Sequence, residues 1–434
     1  MEVLRFALLP ALLVAAVAKE PRAVSVPAVL TEFDRVCRLP FWPGFEPCRI
    51  PLVLFDGEKT WLVRHPAPPA EFAASGDRDD ARVFEGRHAS VRANTSVDLA
   101  GTPTASAIVQ GPVRDPVRLA ALLVHETFHV FQGRRHPGWG ANEADLFVYP
   151  VEDSRALALR RLESLALRRA LAAGRARGRA AWAARALETR RERFALLPAA
   201  AGAYERGTEL KEGLARYVQW LAGDVEPLFP DGEFAAAAVR DRAYSSGAAM
   251  ALLLDSLDPG WKGRLEEGGS RWLEDLLATA AGPEKPEAFA RADIDRETRR
   301  AASEAAALGA ERERKRRGIL EGPGWKLIFE PAEPLQSQGF DPLNVERLAA
   351  TEVLHTRFVK LANSAGSVEV LGLRCLTESA GKHPLFEGIR RATIELPGPP
   401  RIEEDAGTIR ITSEGLTVAY RGGLTARGQV YIIH

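Results

Sequence analysis

The segment DPVRLAALLVHETFHVFQG, residues 115–133, constrains this chain more than any other. Asp115 suits an N-cap, Pro116 suits the first helical position, and Gly133 suits a C-terminal stop, so a helix is expected between them. Val117, Ala121, Val124 and Phe128 supply an apolar stripe. Such a helix packs into a core, yet it carries two histidines and a glutamate. His125 and His129 fall one turn apart on a shared face. Glu126 directly follows the first. Two imidazoles in that relation can reach one metal ion, and the adjacent carboxylate can take a proton from a water. The chain holds only eight histidines, which makes a chance occurrence of this pattern uncommon.

Around that segment the character of the sequence changes twice. Residues 19–112 read as β-rich, with short runs such as PLVLF, TWLV, VFEG and TASAIVQ broken by Pro, Gly and Asn. Residues 113–320 read as helical. Residues 321–434 return to strand patterns: WKLIFE, SVEVLGL, ATIEL, TIRIT, LTVAY and QVYII. The expected fold class is α+β, with an N-terminal β-rich region, a helical core and a C-terminal β domain. A chain of 434 residues has room for two or three domains.

Within the helical region, residues 153–205 look like an inserted helical hairpin turning at GRARGR, residues 174–179. Twelve arginines lie between Arg155 and Arg193. With 58 basic against 58 acidic residues in the whole chain, and no interleaved aromatics that line up, the arginines read as a solvated helix face rather than a nucleic-acid surface. A second charged helix is expected near residues 299–317.

The N-terminus has Arg5, an apolar run over residues 6–17, and small residues before Lys19. This suits a secretory signal over residues 1–18, with secretion or an envelope location as its consequence. No later run approaches a membrane span. Cys37 and Cys48 flank a Pro-rich loop, and a disulfide would close it in an oxidising compartment. Cys375 and His355 read as core residues.

A hydrolytic zinc site needs a third protein ligand and an open position. No third histidine extends the motif, so a carboxylate is expected, from Glu143, Glu152, Glu163, Glu209 or Glu212. Glu212 lies in TELKEGLARYVQW, residues 208–220. There Thr208 can cap a helix, Gly223 can stop it, and small Gly213 and Ala215 permit close approach to the histidine helix. Glu209, one turn earlier, is the alternative on the same segment.

HETFH followed by KEGLARY resembles the gluzincin metallopeptidases, in which the glutamate of the second segment is the third zinc ligand. AYSSGAAMALLLDSL, residues 243–257, is similar to the helix that follows in gluzincin aminopeptidases, whose tyrosine stabilises the oxyanion. The chain also resembles uncharacterised secreted bacterial proteins with a peptidase-like core. The resemblance covers residues 121–262. It implies a zincin-like core, zinc held by His125, His129 and Glu212, and catalysis by Glu126 and Tyr244 on a peptide or protein substrate. It differs in two respects. The 82 residues between His129 and Glu212 exceed the gap in the aminopeptidases, leaving Glu163 as a competitor. The segment that binds a free amino terminus is missing; its counterpart edge strand, residues 101–110, carries no carboxylate. Two other readings stand beside the peptidase: a catalytically silent envelope scaffold whose C-terminal β domain binds a partner, and a zinc hydrolase for a non-peptide bond.

Overall fold

The computed structural model describes residues 25–109, 115–268, 272–405 and 407–434, so the expected signal segment lies outside the described residues. The fold is α+β: a helical core with β-sheets in the N-terminal and C-terminal regions. Two compact units are present. The first comprises the described residues through Arg135 together with Val218–Val225; the second comprises His136–Tyr217 and Glu226–His434.

The first unit opens on a helix, α1 (Val26–Val36), where the sequence reads as β-rich. Ser25 caps it with its side chain, and Val26, Val29, Leu30, Phe33 and Val36 form a buried stripe at helical spacing. Pro27 at its start and the short length of the apolar run hide this period from a strand-oriented reading. A six-stranded sheet follows: β1 (Leu52–Phe55), β2 (Lys59–Val63), β3 (Ala73–Ala74), β4 (Ala81–Glu85), β5 (Thr95–Leu99) and β6 (Thr102–Ile108), in the order β3-β4-β2-β1-β6-β5. Every residue of β1 is buried, as a central strand covered on both faces requires. The Cys37–Cys48 disulfide is formed. The histidine helix α2 (Pro116–Arg135) packs on β5 and β6 and against α1. Asp115 accepts from the Val117 N–H at 2.9 Å, as an N-cap should. Gly133 does not end this helix, which runs two residues further to Arg135. A single glycine costs only about 1 kcal/mol inside a helix, too little to stop one anchored by Phe128 against Trp42 and Phe45.

The second unit begins with α3 (Glu143–Phe147) and the expected hairpin, α4 (Ser154–Ala172) and α5 (Ala176–Phe194). It continues through α6 (Ala199–Thr208), a π-helical turn over Glu209–Gly213, and the first residues of α7 (Leu214–Leu221), which from Val218 on belongs to the first unit. Thr208 caps nothing. Its backbone is helical, and its hydroxyl donates to the Tyr204 carbonyl at 2.8 Å. Gly223, at φ +123°, follows the end of α7 as expected. Next come α8 (Val239–Leu257), α9 (Trp261–Glu266), α10 (Leu273–Ala281) and α11 (Arg291–Glu321). Among the described residues no helix is long and apolar enough to cross a membrane.

The C-terminal strands are β7 (Trp325–Phe329), β8 (Gln336–Phe340), β9 (Val345–Arg347), β10 (Glu352–His355), β11 (Phe358–Asn363), β12 (Gly366–Leu371) and β13 (Cys375–Ser379). They continue with β14 (Ile389–Leu396), β15 (Arg401–Asp405), β16 (Thr408–Ser413), β17 (Leu416–Arg421), β18 (Leu424–Arg427) and β19 (Val430–Ile433). They form a seven-stranded and a six-stranded sheet around one core that includes Phe329, Val368, Ile394, Ile411 and Tyr420. Cys375 and His355 are both buried here.

The arginine-rich hairpin departs most from expectation. Arg155, Arg175, Arg177 and Arg191 are exposed, but Arg160, Arg161, Arg190 and Arg193 are buried. The buried ones continue the packing face of the hairpin. Ala183, Ala186, Arg190 and Arg193 follow one another at three- and four-residue steps, all buried. Arg190, Arg193 and Arg242 of α8 meet Glu163, Glu205 and Glu209 in a network closed to solvent. Arg193 Nη2 lies 2.8 Å from both Glu163 Oε2 and Glu205 Oε2. Burial pushes the Glu205 carboxyl up, but Arg193 and Arg242 more than offset it and bring it down to about 2. The same balance holds Glu163 well below the usual carboxylate range.

Candidate metal centre

The first unit holds the histidine pair. On α2, His125, Glu126 and His129 present ligand atoms that all lie within 4.8 Å of one another. His125 and Glu126 are buried and His129 is partly so. The two Nε2 atoms are 3.0 Å apart, with the rings edge to face. His129 Nδ1 is 2.9 Å from Gln132 Oε1. That amide oxygen accepts the Nδ1 hydrogen, so the lone pair sits on Nε2 and points toward His125. Two imidazoles bound to one tetrahedral zinc at about 2.0–2.1 Å place their nitrogens roughly 3.3 Å apart. The pair fits such an ion with a shift of a few tenths of an ångström, and Gln132 is placed to orient His129 toward it.

The second unit holds the other two residues singled out in the sequence. Glu212 sits in the π-turn and Tyr244 on α8. The structure brings these two together: the Tyr244 hydroxyl is hydrogen-bonded to the Glu212 carboxylate. Arg240, one turn before Tyr244 on α8, donates to Glu212 Oε1 at 3.0 Å and to the Tyr244 hydroxyl at 3.4 Å. Burial first, and then the Glu212 charge, push the Tyr244 phenol above its ordinary range. Sequence reading missed Arg240, although its place one turn before Tyr244 was the available signal.

Local packing explains why Glu212 and Tyr244 meet. A Cβ on Gly213 would come within 2.7 Å of the Gly247 Cα, and one on Gly247 within 2.8 Å of both the Gly213 Cα and the Glu209 carbonyl oxygen. The two glycines let the π-turn and α8 touch backbone to backbone. Gly213, beside Glu212, therefore serves a contact with the tyrosine helix, a contact its sequence context does not announce. The π-turn has a further effect. Residues three apart share a face in a regular α-helix. The wider turn separates Glu209 and Glu212, and π-turns of this kind occur often at functional sites.

The competing carboxylates are engaged elsewhere. Glu163 is bonded by Arg190, Arg193 and Arg242. Glu209 takes a bidentate pair from Arg190 at 2.9 and 2.5 Å and the Ser246 hydroxyl at 2.6 Å. Glu152 meets Arg312 and Arg347. Glu143 meets Arg240 and the Tyr204 hydroxyl. His136 and Trp139 stack on each other, and His136 meets Glu266.

In the second unit a cleft of about 560 Å³ runs past Tyr244, lined also by Arg216, Leu228, Phe229, Phe234 and Asp241. The hairpin braces its wall. Arg160 donates to the carbonyl oxygens of Ala236 at 2.9 Å and Ala235 at 2.7 Å.

No family model matches the chain, and neither a curated protein nor a solved structure matches it.

Proposed function

We propose that the protein is a secreted zinc-dependent metallohydrolase of gluzincin type that cleaves peptide bonds. The observation that carries this reading is the buried histidine pair, its Nε2 atoms 3.0 Å apart and a glutamate on the same helical turn. His125, His129 and Glu212 are the ligands in this reading. Zinc, when bound, supplies the Lewis acidity that makes water a nucleophile near neutral pH and polarises a carbonyl.

The chain's own residues do the rest. Gln132 fixes His129 with its Nε2 lone pair available. Glu126 takes a proton from the attacking water and passes it to the leaving amine. Tyr244 donates its phenolic hydrogen to the oxyanion that develops on the substrate carbonyl. Arg240 donates to Glu212 Oε1 and orients the carboxylate. The engagement of Glu163 and Glu209 by buried guanidinium groups favours Glu212 over both as the third ligand. The Cys37–Cys48 disulfide supports an oxidising, extracytoplasmic location.

The test is zinc content per chain in the wild type, Glu212→Ala and Glu126→Gln, with hydrolysis of a peptide library alongside. The expectation is about one zinc in the wild type and in Glu126→Gln, a sharp loss in Glu212→Ala, and hydrolysis lowered by roughly 10²–10⁴-fold in Glu126→Gln. Undiminished hydrolysis in Glu126→Gln overturns the mechanism. A wild type that binds zinc but cleaves no peptide points to a different bond or to a silent scaffold.

A further inference from the structure

The arginine-rich hairpin has no part in the function proposed above, yet it reaches the π-turn that carries Glu212. Arg190 lies at the buried end of α5, with its side chain 2% exposed. It grips Glu209, the first residue of that turn, with both terminal nitrogens. From the other side Ser246 of α8 donates to the same carboxylate at 2.6 Å. The turn is thus pinned at Glu209 by a cation from the hairpin and a hydroxyl from the tyrosine helix. Its far end is fixed by the Gly213–Gly247 backbone contact.

We propose that Arg190, Glu209 and Ser246 form a positioning clamp that sets the π-turn so that Glu212 is presented as a metal ligand beside Tyr244. The inference rests on Glu212 being a zinc ligand. A π-turn is a strained insertion in a helix, and its alternative is a regular helix with Glu212 rotated toward the face of Glu209. The clamp opposes that alternative in two ways. Glu209 is held on the network side by a bidentate ion pair, which fixes its orientation as well as its place. Glu212 is thereby turned toward Arg240 and Tyr244. Arg190 in turn is oriented by Glu163 at 3.0 Å and by Glu274. The hairpin that lengthens the gap between the histidine helix and Glu212 therefore supplies the residue that holds Glu212 in place.

Ser246→Ala and Glu209→Gln test this, with Ser164→Ala as the control. Ser164 sits in the same buried network, bonded to Arg242 and to the Arg160 carbonyl, but does not touch Glu209. The readouts are zinc affinity by chelator competition, the visible spectrum of the cobalt-substituted protein, and the thermal midpoint. Removing a partner that orients a metal ligand typically weakens affinity 10–100-fold. Ser246→Ala is expected to lose at least about tenfold in zinc affinity and to change the cobalt spectrum. Ser164→Ala is expected to lower the midpoint comparably with neither effect. If Glu209→Gln fails to fold, Ser246→Ala still decides. Wild-type affinity and spectrum in folded Ser246→Ala, or an equal loss of affinity in Ser164→Ala, overturn the clamp and leave the zinc assignment standing. A wild type that binds no zinc overturns both.

Discussion

Replacing Arg193 by Met removes the cation at the centre of the buried network while keeping most of its volume. In the wild type its guanidinium is fully buried, bonded to both oxygens of Glu205, to Glu163 and to the Tyr149 hydroxyl at 3.2 Å. Three guanidiniums share this space with the carboxyls of Glu163, Glu205 and Glu209; the cations hold the first two low, while burial pushes the third up. The substitution leaves Glu163 and Glu205 without their central cation, with Glu205 kept by Arg242 at 3.2 Å and by the Tyr149 hydroxyl at 2.5 Å. Breaking a buried pair by removing one partner costs roughly 3–5 kcal/mol, because the remaining charge stays desolvated. A solvated face predicts a loss within about 0.5 kcal/mol, which is the expectation for the exposed Arg177. The two readings thus differ about tenfold in effect, and the larger corresponds to a midpoint drop of order 10 °C.

Urea unfolding of Arg193→Met and Arg177→Ala, followed by circular dichroism at pH 7, measures both. A pH series adds an independent check. In the wild type Glu205 is held near 2, below its ordinary 4.5, so its contribution is present above pH 4.5 and is lost as pH falls toward 2. In Arg193→Met that slope is shallower. A loss under 1 kcal/mol with an unchanged acid slope would refute the buried-network account.

Three further outcomes are expected. His355→Gln flattens the acid response of the C-terminal domain: burial lowers His355 from 6.5 to about 4, so the folded state keeps it neutral while the unfolded chain protonates. Stability therefore falls by up to about 3 kcal/mol between pH 6.5 and 4 in the wild type, and domain unfolding against pH measures the difference. Gly247→Ala forces the π-turn away from α8, because the new methyl meets backbone at 2.8 Å. It costs at least about 1–3 kcal/mol and lowers zinc content, read by denaturation and metal analysis. Cys37→Ser/Cys48→Ser opens a short loop and lowers stability by roughly 3 kcal/mol in urea titration; an unchanged midpoint contradicts the loop-entropy estimate.

The parts of this molecule legible in its sequence are those set by local rules. Strands β11, β12, β16 and β17 alternate buried and less buried residues, the hairpin turns at residues 173–175 where its Gly/Arg stretch begins, and Asp115 with Pro116 starts the histidine helix. Thr208 and Gly133 were misread because capping propensities are weak beside packing. Thr208 ends α6 in helical backbone that runs on into the π-turn, and Gly133 sits in a helix already anchored upstream. The π-turn itself has no local signal: it depends on the Gly213–Gly247 contact and the Glu209 ion pair, both with residues far along the chain. The same is true of the arginines. Arg193 finds Glu163 thirty residues away, a separation at which sequence carries no pairing rule. The clue that was present is positional, since Arg190 and Arg193 extend the alanine stripe of α5 rather than its outer face.

The balance of 58 basic and 58 acidic residues conceals how unequal the carboxylates are, and that inequality bears on which of them a metal could recruit. Drawing Glu163 toward an ion would strip Arg190, Arg193 and Arg242 of a shared partner in a buried space, at a cost of several kcal/mol. Drawing Glu209 away would release Arg190 and unpin the π-turn. Glu212 differs from both. Its cation, Arg240, is 35% exposed on its side chain and already shares itself with Glu143, which is itself 60% exposed. Releasing one oxygen of Glu212 leaves Arg240 paired and hydrated, and leaves the phenol of Tyr244 beside it. A carboxylate that is buried yet held by a partner with access to water can exchange that partner for a divalent ion at the least cost. Of the three downstream carboxylates weighed most closely as ligands, Glu212 alone has that environment.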